Sequence, residues 1–343
     1  MTIARLLPRK LHLDGLIHPD FQRVENTLRD LLANYPGGAA VCVYHRGEKV
    51  VDLWGGYSDD IGSAWQRDTM APSFSTTKGV AATLLHIYAD RGLIDYDARV
   101  ADYWPEFGQA GKEDITVRQV LAHQSGLYHI RQMIDHVDRM LDWQHMIEAI
   151  ERTEPAHEPG TRTGYHGLTF GFLVGEIIQR VTGKKFSDLV QSEIAQPLGL
   201  DGLFIGTPEY EIGRAAQLLF PTSTKRLSQT RLGHYLERGA SNMSGMLRRM
   251  GMDSDLSSIF DALAPRGISD FDFGSPESLR VAIPAGNGLF TARSLARLYA
   301  ALAHGGEFEG TRLLSQRTLQ RATELQQPTG RHSVIPFDMR WRM

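Results

Sequence analysis

The sequence predicts an α+β fold, in which an antiparallel sheet is flanked by helices and joined to a mainly helical region. Three patterns indicate this fold. A helical segment followed by a β-hairpin occupies residues 20–53. A segment at residues 75–91 has helical character and almost no polar face, and helical patterns dominate from about residue 115 onward. Because a helix that is apolar on all sides is typical of a protein interior, residues 75–91 are expected to lie at the centre.

One helix and one hairpin are predicted near the start of the chain. Apolar residues recur at helical spacing between Phe21 and Leu32, and Asp20 is the expected N-cap. Two β-rich segments follow, Ala39–Tyr44 and Lys49–Leu53, with turn residues between them. Because the first of these segments is almost continuously apolar, we expect it to be buried on both faces of the sheet.

The later helices are predicted from periodicity and from their terminal residues. The apolar helix at residues 75–91 is followed by Gly92, a residue typical of helix C-termini. Residues 207–285 are rich in Ser, Thr, Arg and Gly and predict loops and short helices, and Met339–Met343 resembles the opening of a strand. Further helices are expected at Thr116–Leu121, Trp143–Ile150, Leu168–Val181, Phe186–Ile194, Leu295–Ala303 with Thr291 as cap, and Leu313–Thr323.

Length and charge narrow the class of protein. The 343 residues allow one large domain or two smaller ones. The 37 Lys and Arg residues and 40 Asp and Glu residues give a net charge of −3, which does not favour nucleic acid as a partner. Basic residues near the N-terminus are not followed by the apolar stretch of a signal peptide, and no window predicts a membrane span. We therefore expect a cytoplasmic protein.

Cysteine and histidine usage indicates neither disulfides nor a metal centre. Cys42 is the single cysteine, so no intrachain disulfide can form, and its apolar neighbours are typical of a small buried hydrophobe. The 13 histidines form no His-Glu-x-x-His motif. Gly-x-Ser-x-Gly, a Walker loop and Gly-x-Gly-x-x-Gly after a strand are also absent from the sequence. We therefore expect no metal and no cofactor.

The strongest chemical signal is the tetrad Ser-Thr-Thr-Lys at residues 75–78, which begins the apolar helix. Residues three apart share a helix face, so the Lys78 amine can lie beside the Ser75 hydroxyl. A buried lysine loses its proton more easily and can act as a base, and free N–H groups at a helix N-terminus can stabilise an oxyanion. The alternative is a capping Ser75 with an exposed Lys78.

Two further segments support a catalytic interpretation of the tetrad. They are His-Gln-Ser-Gly-Leu at residues 123–127 and Glu-Pro-Gly-Thr-Arg-Thr-Gly-Tyr at residues 158–165. In this order, the three motifs resemble those of the serine β-lactamase and penicillin-binding-protein superfamily, in its class C-like branch of β-lactamase-related esterases. Residues 182–186, 196–200 and 286–295 also fit, and the similarity covers most of residues 20–325. The resemblance implies a β-lactamase/transpeptidase-like fold.

The resemblance also implies roles for individual residues. Ser75 would be the nucleophile, Lys78 would deprotonate it, and Tyr165 would exchange protons with the nucleophile and the leaving group. A lysine ammonium beside the phenol would lower the pKa of Tyr165 towards neutrality. His123 and His166 are candidates for contact with the substrate. For Tyr165, the alternative is a core tyrosine that precedes a helix.

The sequence departs from the family pattern at two places. Gly167 stands where many family members carry an Asn, which argues more against lactam recognition than against ester cleavage. The family's late Lys-Thr-Gly or His-x-Gly motif is not found, since His-Gly-Gly at residues 304–306 fits a helix C-cap. The expectation is that the chain stops before the strand pair carrying this motif. The resulting open sheet edge could pair with a second copy.

The expected architecture has two parts. Residues 1–114 and 286–343 form the sheet region, and the mainly helical residues 115–285 are inserted between them, with the site at the junction. The predicted reaction is acyl transfer through Ser75 on a small ester, with amides or lactams as further candidates. Two other functions stay open: a β-lactamase or D-Ala-D-Ala peptidase, and a catalytically impaired relative that serves in binding or assembly.

Overall fold

The computed structural model describes residues 12–219 and 261–327, together with residues 334, 342 and 343. Most of the predicted loop region, residues 220–260, and the first part of the predicted terminal strand, residues 339–341, lie outside the described residues. The strands are β1 (Leu13–Ile17), β2 (Ala39–His45), β3 (Glu48–Gly55), β4 (Ala71–Pro72), β5 (Leu203–Phe204), β6 (Leu289–Phe290), β7 (Glu307–Phe308) and β8 (Thr311–Arg312).

The helices follow the predicted order closely. Helix bounds shift mostly by one to three residues. In the described residues, the complete helices are α1 (Gln22–Asn34), α2 (Thr77–Asp90), α3 (Val100–Tyr103), α4 (Val117–Leu121), α5 (Ile130–Met133), α6 (Trp143–Arg152), α7 (Thr169–Thr182), α8 (Phe186–Val190), α9 (Glu209–Ile212), α10 (Pro276–Arg280), α11 (Ala292–Ala303) and α12 (Gln316–Thr323). None of the described helices is long and apolar enough to cross a lipid bilayer.

The predicted cap of α1 and the predicted start of α12 are both wrong. Asp20 does not cap α1, because it lies in a 3₁₀ turn and the residue before the helix is Phe21, whose side chain makes no capping hydrogen bond. Helix α12 begins at Gln316 rather than Leu313, since the Ser315 side chain accepts a hydrogen bond from a backbone N–H one turn later. Thr291, by contrast, caps α11 as predicted, although the helix begins at Ala292 rather than at Leu295.

The main sheet has the antiparallel strand order β1-β3-β2. Strands β2 and β3 form the predicted hairpin, and its two turn residues, Arg46 and Gly47, both have positive φ, as tight hairpin turns require. Strand β1 was not predicted. It pairs with the other edge of β3 and makes β3 the central strand.

The burial of the hairpin is the reverse of the expectation. Strand β2 is only half-buried along most of its length, whereas Val51 and Leu53 in β3 are buried. Within the described residues, β2 pairs with β3 alone, so its second edge carries no neighbouring strand. For the same reason, Cys42 on β2 is half-buried rather than buried, and partial burial raises the pKa of its thiol to about 11.

Helices cover both faces of the main sheet. Val51 and Leu53 pack against α1, and the intervening Asp52 points to the opposite face. There, both carboxylate oxygens of Asp52 accept hydrogen bonds of 2.8 Å from Arg293 of α11, and Lys49 donates a third of 2.8 Å. This buried ion pair fixes α11 to the sheet.

Helix α2 forms the centre of the largest hydrophobic cluster and packs against α7. The cluster includes Leu84 from α2, Phe172 from α7 and Phe290 from β6. A continuous core therefore joins segments from both parts of the predicted architecture. The division into residues 1–114 and 286–343 against 115–285 stays a prediction.

Candidate active site

Ser75 lies in a short 3₁₀ turn, residues 74–76, that leads directly into α2. Its side chain is exposed, while Thr77 and Lys78 in the first turn of α2 are buried. Strand β4 ends just before this turn and pairs with β6, and the Ser73 N–H donates to the Gly288 carbonyl at 2.8 Å. The pairing places the backbone of residues 284–288 beside the start of α2.

Lys78 is enclosed at the bottom of the site, with 8% of its surface exposed. Its Nζ donates hydrogen bonds to the carbonyl oxygens of Gly167 at 2.6 Å and Ala285 at 2.9 Å, and lies 3.2 Å from Ser75 Oγ. Burial lowers the pKa of Lys78 to about 7, because the charged form loses solvation. Near neutral pH, a large fraction of this lysine is therefore an uncharged amine.

The two backbone carbonyl groups orient the Lys78 amine. A carbonyl oxygen only accepts hydrogen bonds, so Gly167 and Ala285 each require an N–H of Lys78. In the neutral amine both N–H groups are then used, and the lone pair is left to face Ser75 Oγ. The arrangement suits removal of the serine proton.

Tyr165 donates a hydrogen bond from its hydroxyl to Ser75 Oγ at 2.8 Å. Burial raises the pKa of Tyr165 and outweighs the opposing hydrogen bond to Ser75. The expected lowering of this pKa is therefore wrong. The Lys78 Nζ faces the Tyr165 ring, 5.0 Å from its centroid, and a large fraction of this lysine is uncharged near neutral pH.

His166 is completely buried and connects the loop at residues 123–127 to the segment that carries Tyr165. Its Nδ1 lies 2.6 Å from the Gly164 carbonyl, and its Nε2 lies 2.6 Å from Ser125 Oγ and accepts from the Leu127 N–H at 3.3 Å. A carbonyl needs a donor and a backbone N–H needs an acceptor. These contacts therefore select the neutral form with the proton on Nδ1.

His123 occupies the same buried network. Its Nδ1 accepts a hydrogen bond from the His166 backbone N–H at 3.1 Å, and its ring lies 5.1 Å from that of Tyr165 and 5.0 Å from that of Phe170. Its positive φ of 59° turns the loop at this point. The burial of both histidines argues against the expected substrate contacts. Their contacts instead position the segment around Tyr165.

Sequence reasoning missed two groups in the site because both are backbone carbonyls. Gly167 lacks a side-chain amide, yet its carbonyl oxygen accepts the shortest of the hydrogen bonds that Lys78 donates. Ala285 was not singled out, although it precedes the Gly-Asn-Gly segment that matches the family pattern. Any residue type supplies a carbonyl, so the sequence carries no signal for either contact.

The His-Gly-Gly segment at residues 304–306 does not enter the site. His304 is the C-cap of α11, and Gly305 and Gly306 have the positive φ values of a turn into β7. The Nε2 of His304 lies 3.8 Å from the position that a Cβ would take on Gly47, at the tip of the β2–β3 hairpin. This agrees with its interpretation as a helix C-cap.

Comparisons with known proteins match nearly the whole chain. The model of a family described as Beta-lactamase matches residues 24–340. Esterase/beta-lactamase LipL of Mycobacterium tuberculosis is 38% identical over 307 residues, which is 88% of this chain and 65% of LipL. The chain thus spans slightly less than two thirds of that relative's length.

Two crystal structures share the fold at the same level of identity. A family VIII carboxylesterase has a TM-score of 0.80 and 33% identity, with 96% of this chain and 82% of that chain covered. A penicillin-binding protein homologue from Caulobacter crescentus has a TM-score of 0.76 at 33% identity, with the same coverage. These matches extend over both the sheet and the helical part of the chain.

Proposed function

Because the chain belongs to the β-lactamase family, we propose that it is a serine hydrolase that cleaves carboxylic esters through an acyl-enzyme on Ser75. One observation carries this proposal: Ser75 Oγ lies within hydrogen-bond distance of both Lys78 Nζ and Tyr165 Oη. The names of its relatives, an esterase/beta-lactamase and a family VIII carboxylesterase, support the same reaction class.

In the acylation step, Ser75 Oγ attacks the ester carbonyl carbon while its proton passes to the neutral amine of Lys78. The bond between the carbonyl carbon and the alcohol oxygen then breaks, and the leaving alkoxide takes the hydroxyl proton of Tyr165. Because burial raises the pKa of Tyr165, the phenol keeps its proton until a strong base forms beside it. Transfer of a proton from the Lys78 ammonium to the tyrosinate restores both groups.

In the deacylation step, a water molecule attacks the acyl carbon and gives up a proton to Lys78. The carbon–Oγ bond breaks, Ser75 Oγ takes this proton back from the Lys78 ammonium, and the carboxylic acid leaves. Lys78 is suited to this second role because it is again a neutral amine that faces Ser75. In both steps, the backbone N–H of Ser75 at the amino end of α2 is our candidate donor to the developing oxyanion.

Esters are favoured over lactams by the residue at position 167. Gly167 has no side-chain amide to hold the acylamino group of a lactam or peptide. A second candidate function, cleavage of β-lactams, is supported by the name of the relative, Esterase/beta-lactamase LipL. A third function, a binding or assembly role without catalysis, stays an expectation from the sequence.

Three reagents separate these functions. The wild-type protein and Ser75→Ala are incubated with p-nitrophenyl butyrate and with nitrocefin, and wild type is also treated with a fluorophosphonate and analysed by peptide mass spectrometry. We expect ester turnover that is lost in Ser75→Ala, and a phosphonyl adduct on Ser75. Turnover of nitrocefin alone would favour the lactamase. If neither substrate is cleaved and Ser75 is not labelled, the protein is not a serine hydrolase.

Two further expectations stay predictions. Localisation to the cytoplasm is tested by fractionation of cells that express the full-length gene. Self-association through an exposed sheet edge is tested by sedimentation equilibrium, in which a single monomeric species would refute it. The absence of nucleic acid, metal and cofactor partners is likewise an expectation from the sequence.

A further inference from the structure

We propose that Phe74 and Phe273 form an aromatic wall beside Ser75 that binds an apolar group of the ester and so determines substrate specificity. This inference rests on the proposed ester hydrolysis, because it assigns the substrate class of the same site. It concerns two residues that play no part in moving protons.

Phe74 immediately precedes the nucleophile and has an unusual conformation. Its φ is +43°, a left-handed value that is rare for a bulky residue and costs conformational energy. Its side chain is 43% exposed. The exposed part of this ring is available for contact with a ligand bound at Ser75.

Phe273 forms the second half of the wall and is tied to the other side of the site. Its ring meets that of Phe74 edge to face, with centroids 5.6 Å apart and planes at 65°. It lies 3.5 Å from the position of a Cβ on Gly286, the residue after Ala285, whose carbonyl binds Lys78. The two rings therefore lie along the edge of the catalytic cluster.

The surroundings of the wall keep it apolar. Phe271 packs edge to face on Phe273, with centroids 4.8 Å apart, and supports it from behind. Asp272 lies between these two residues in the sequence. Its carboxylate accepts a hydrogen bond from the Gly274 N–H at 2.8 Å, within the same turn. Apolar surface of this kind binds alkyl or aryl groups through their removal from water. We therefore expect the wall to bind esters that carry an alkyl or aryl group larger than methyl.

Binding to Ser75→Ala tests the wall without any need for turnover. Dissociation constants are measured by calorimetry for ethyl acetate, ethyl hexanoate and benzyl acetate, with Phe273→Ala, Phe273→Leu or Tyr210→Ala added to the Ser75→Ala protein. Tyr210 is an exposed aromatic residue of α9 and serves as the control. We expect Phe273→Ala to weaken the larger esters by roughly tenfold, and ethyl acetate by less than about twofold. Phe273→Leu should weaken them less, because it keeps apolar surface.

Two results would overturn the assignment. One is equal affinity of the Ser75→Ala protein for ethyl acetate and for both larger esters. The other is an unchanged preference for the larger esters when Phe273→Ala is added to the Ser75→Ala protein. This result counts only if the circular dichroism spectrum matches that of the Ser75→Ala protein. Failure of the proposed hydrolysis is recognised separately, since the wild-type protein would then turn over none of these esters.

Discussion

Replacement of Tyr165 by Phe separates two chemical roles for this residue. The change removes the hydroxyl that donates to Ser75 Oγ at 2.8 Å. It keeps the ring, which contacts His123 and lies over Lys78. The raised pKa of Tyr165 supports our proposal that the phenol donates a proton to the leaving alkoxide rather than acting as a base for Ser75. The loss of activity should therefore depend on how much the leaving group needs a proton.

The expected size of the effect follows from two contributions. A neutral hydrogen bond is worth about 0.5–1.5 kcal/mol, so its loss slows every ester by about tenfold or less. General acid catalysis contributes about 100- to 10,000-fold, or about 2.7–5.4 kcal/mol. An alkyl alcohol leaves poorly without a proton, whereas p-nitrophenolate leaves readily without one. Tyr165→Phe should thus slow ethyl butyrate at least about 100-fold and p-nitrophenyl butyrate about tenfold or less.

The assay compares kcat/KM for these two butyrates, by proton release for the ethyl ester and by absorbance for the nitrophenyl ester. Because both esters give the same acyl-enzyme, the difference between them reports the departure of the leaving group. Tyr210→Phe, at an exposed position on α9, is the matched control and should leave both rates unchanged. Equal losses on the two esters would refute the reasoning, because Tyr165 would then not assist the departure of the leaving group.

Three other predictions test the environment of the site and the fold. The kcat/KM for ester cleavage should rise with pH through about 7, because only the neutral Lys78 amine accepts a proton; a flat profile there would exclude it as the base. Gly167→Ala should lower activity and stability, by about 1–3 kcal/mol on denaturant unfolding, since its Cβ would lie 2.9 Å from a backbone carbonyl oxygen; Gly213→Ala, in open space, should be neutral. Asp52→Asn should cost about 3–5 kcal/mol on denaturant unfolding at neutral pH, because Arg293 is left without its buried partner. Burial alone would raise the pKa of Asp52, but its hydrogen bonds to Arg293 and Lys49 lower it overall, so this stability is lost as pH falls through the lowered value.

The fold was predictable to the extent that local patterns determine it. The β-lactamase-like α+β fold is confirmed by the family match and by the related crystal structures. Helices such as α7 were predicted almost to the residue, because helical periodicity and a terminal glycine are both local signals. Strand β1 was missed, since a five-residue strand with two polar or glycine positions is recognised only through its partner β3.

The burial of the hairpin shows the limit of this approach. The sequence of β2 is more continuously apolar than that of β3, yet β3 is the buried strand. Burial depends on the number of neighbouring strands, and β3 has one on each side. Apolar content therefore indicated that the hairpin belongs to a sheet, and topology decided which arm lies at its centre.

The chemistry of the site, like the fold, was only partly predictable from the sequence. Spacing alone was enough to bring Ser75 and Lys78 together, because residues three apart meet on a helix. It could not assign the protons between Lys78 and Tyr165, which depend on burial and on two backbone carbonyls from distant segments. In the folded site, the lysine is the group that loses its proton near neutral pH and the tyrosine is the group that keeps it. The motif therefore names the catalytic residues that we propose, and the surrounding fold determines which of them acts as base and which as acid.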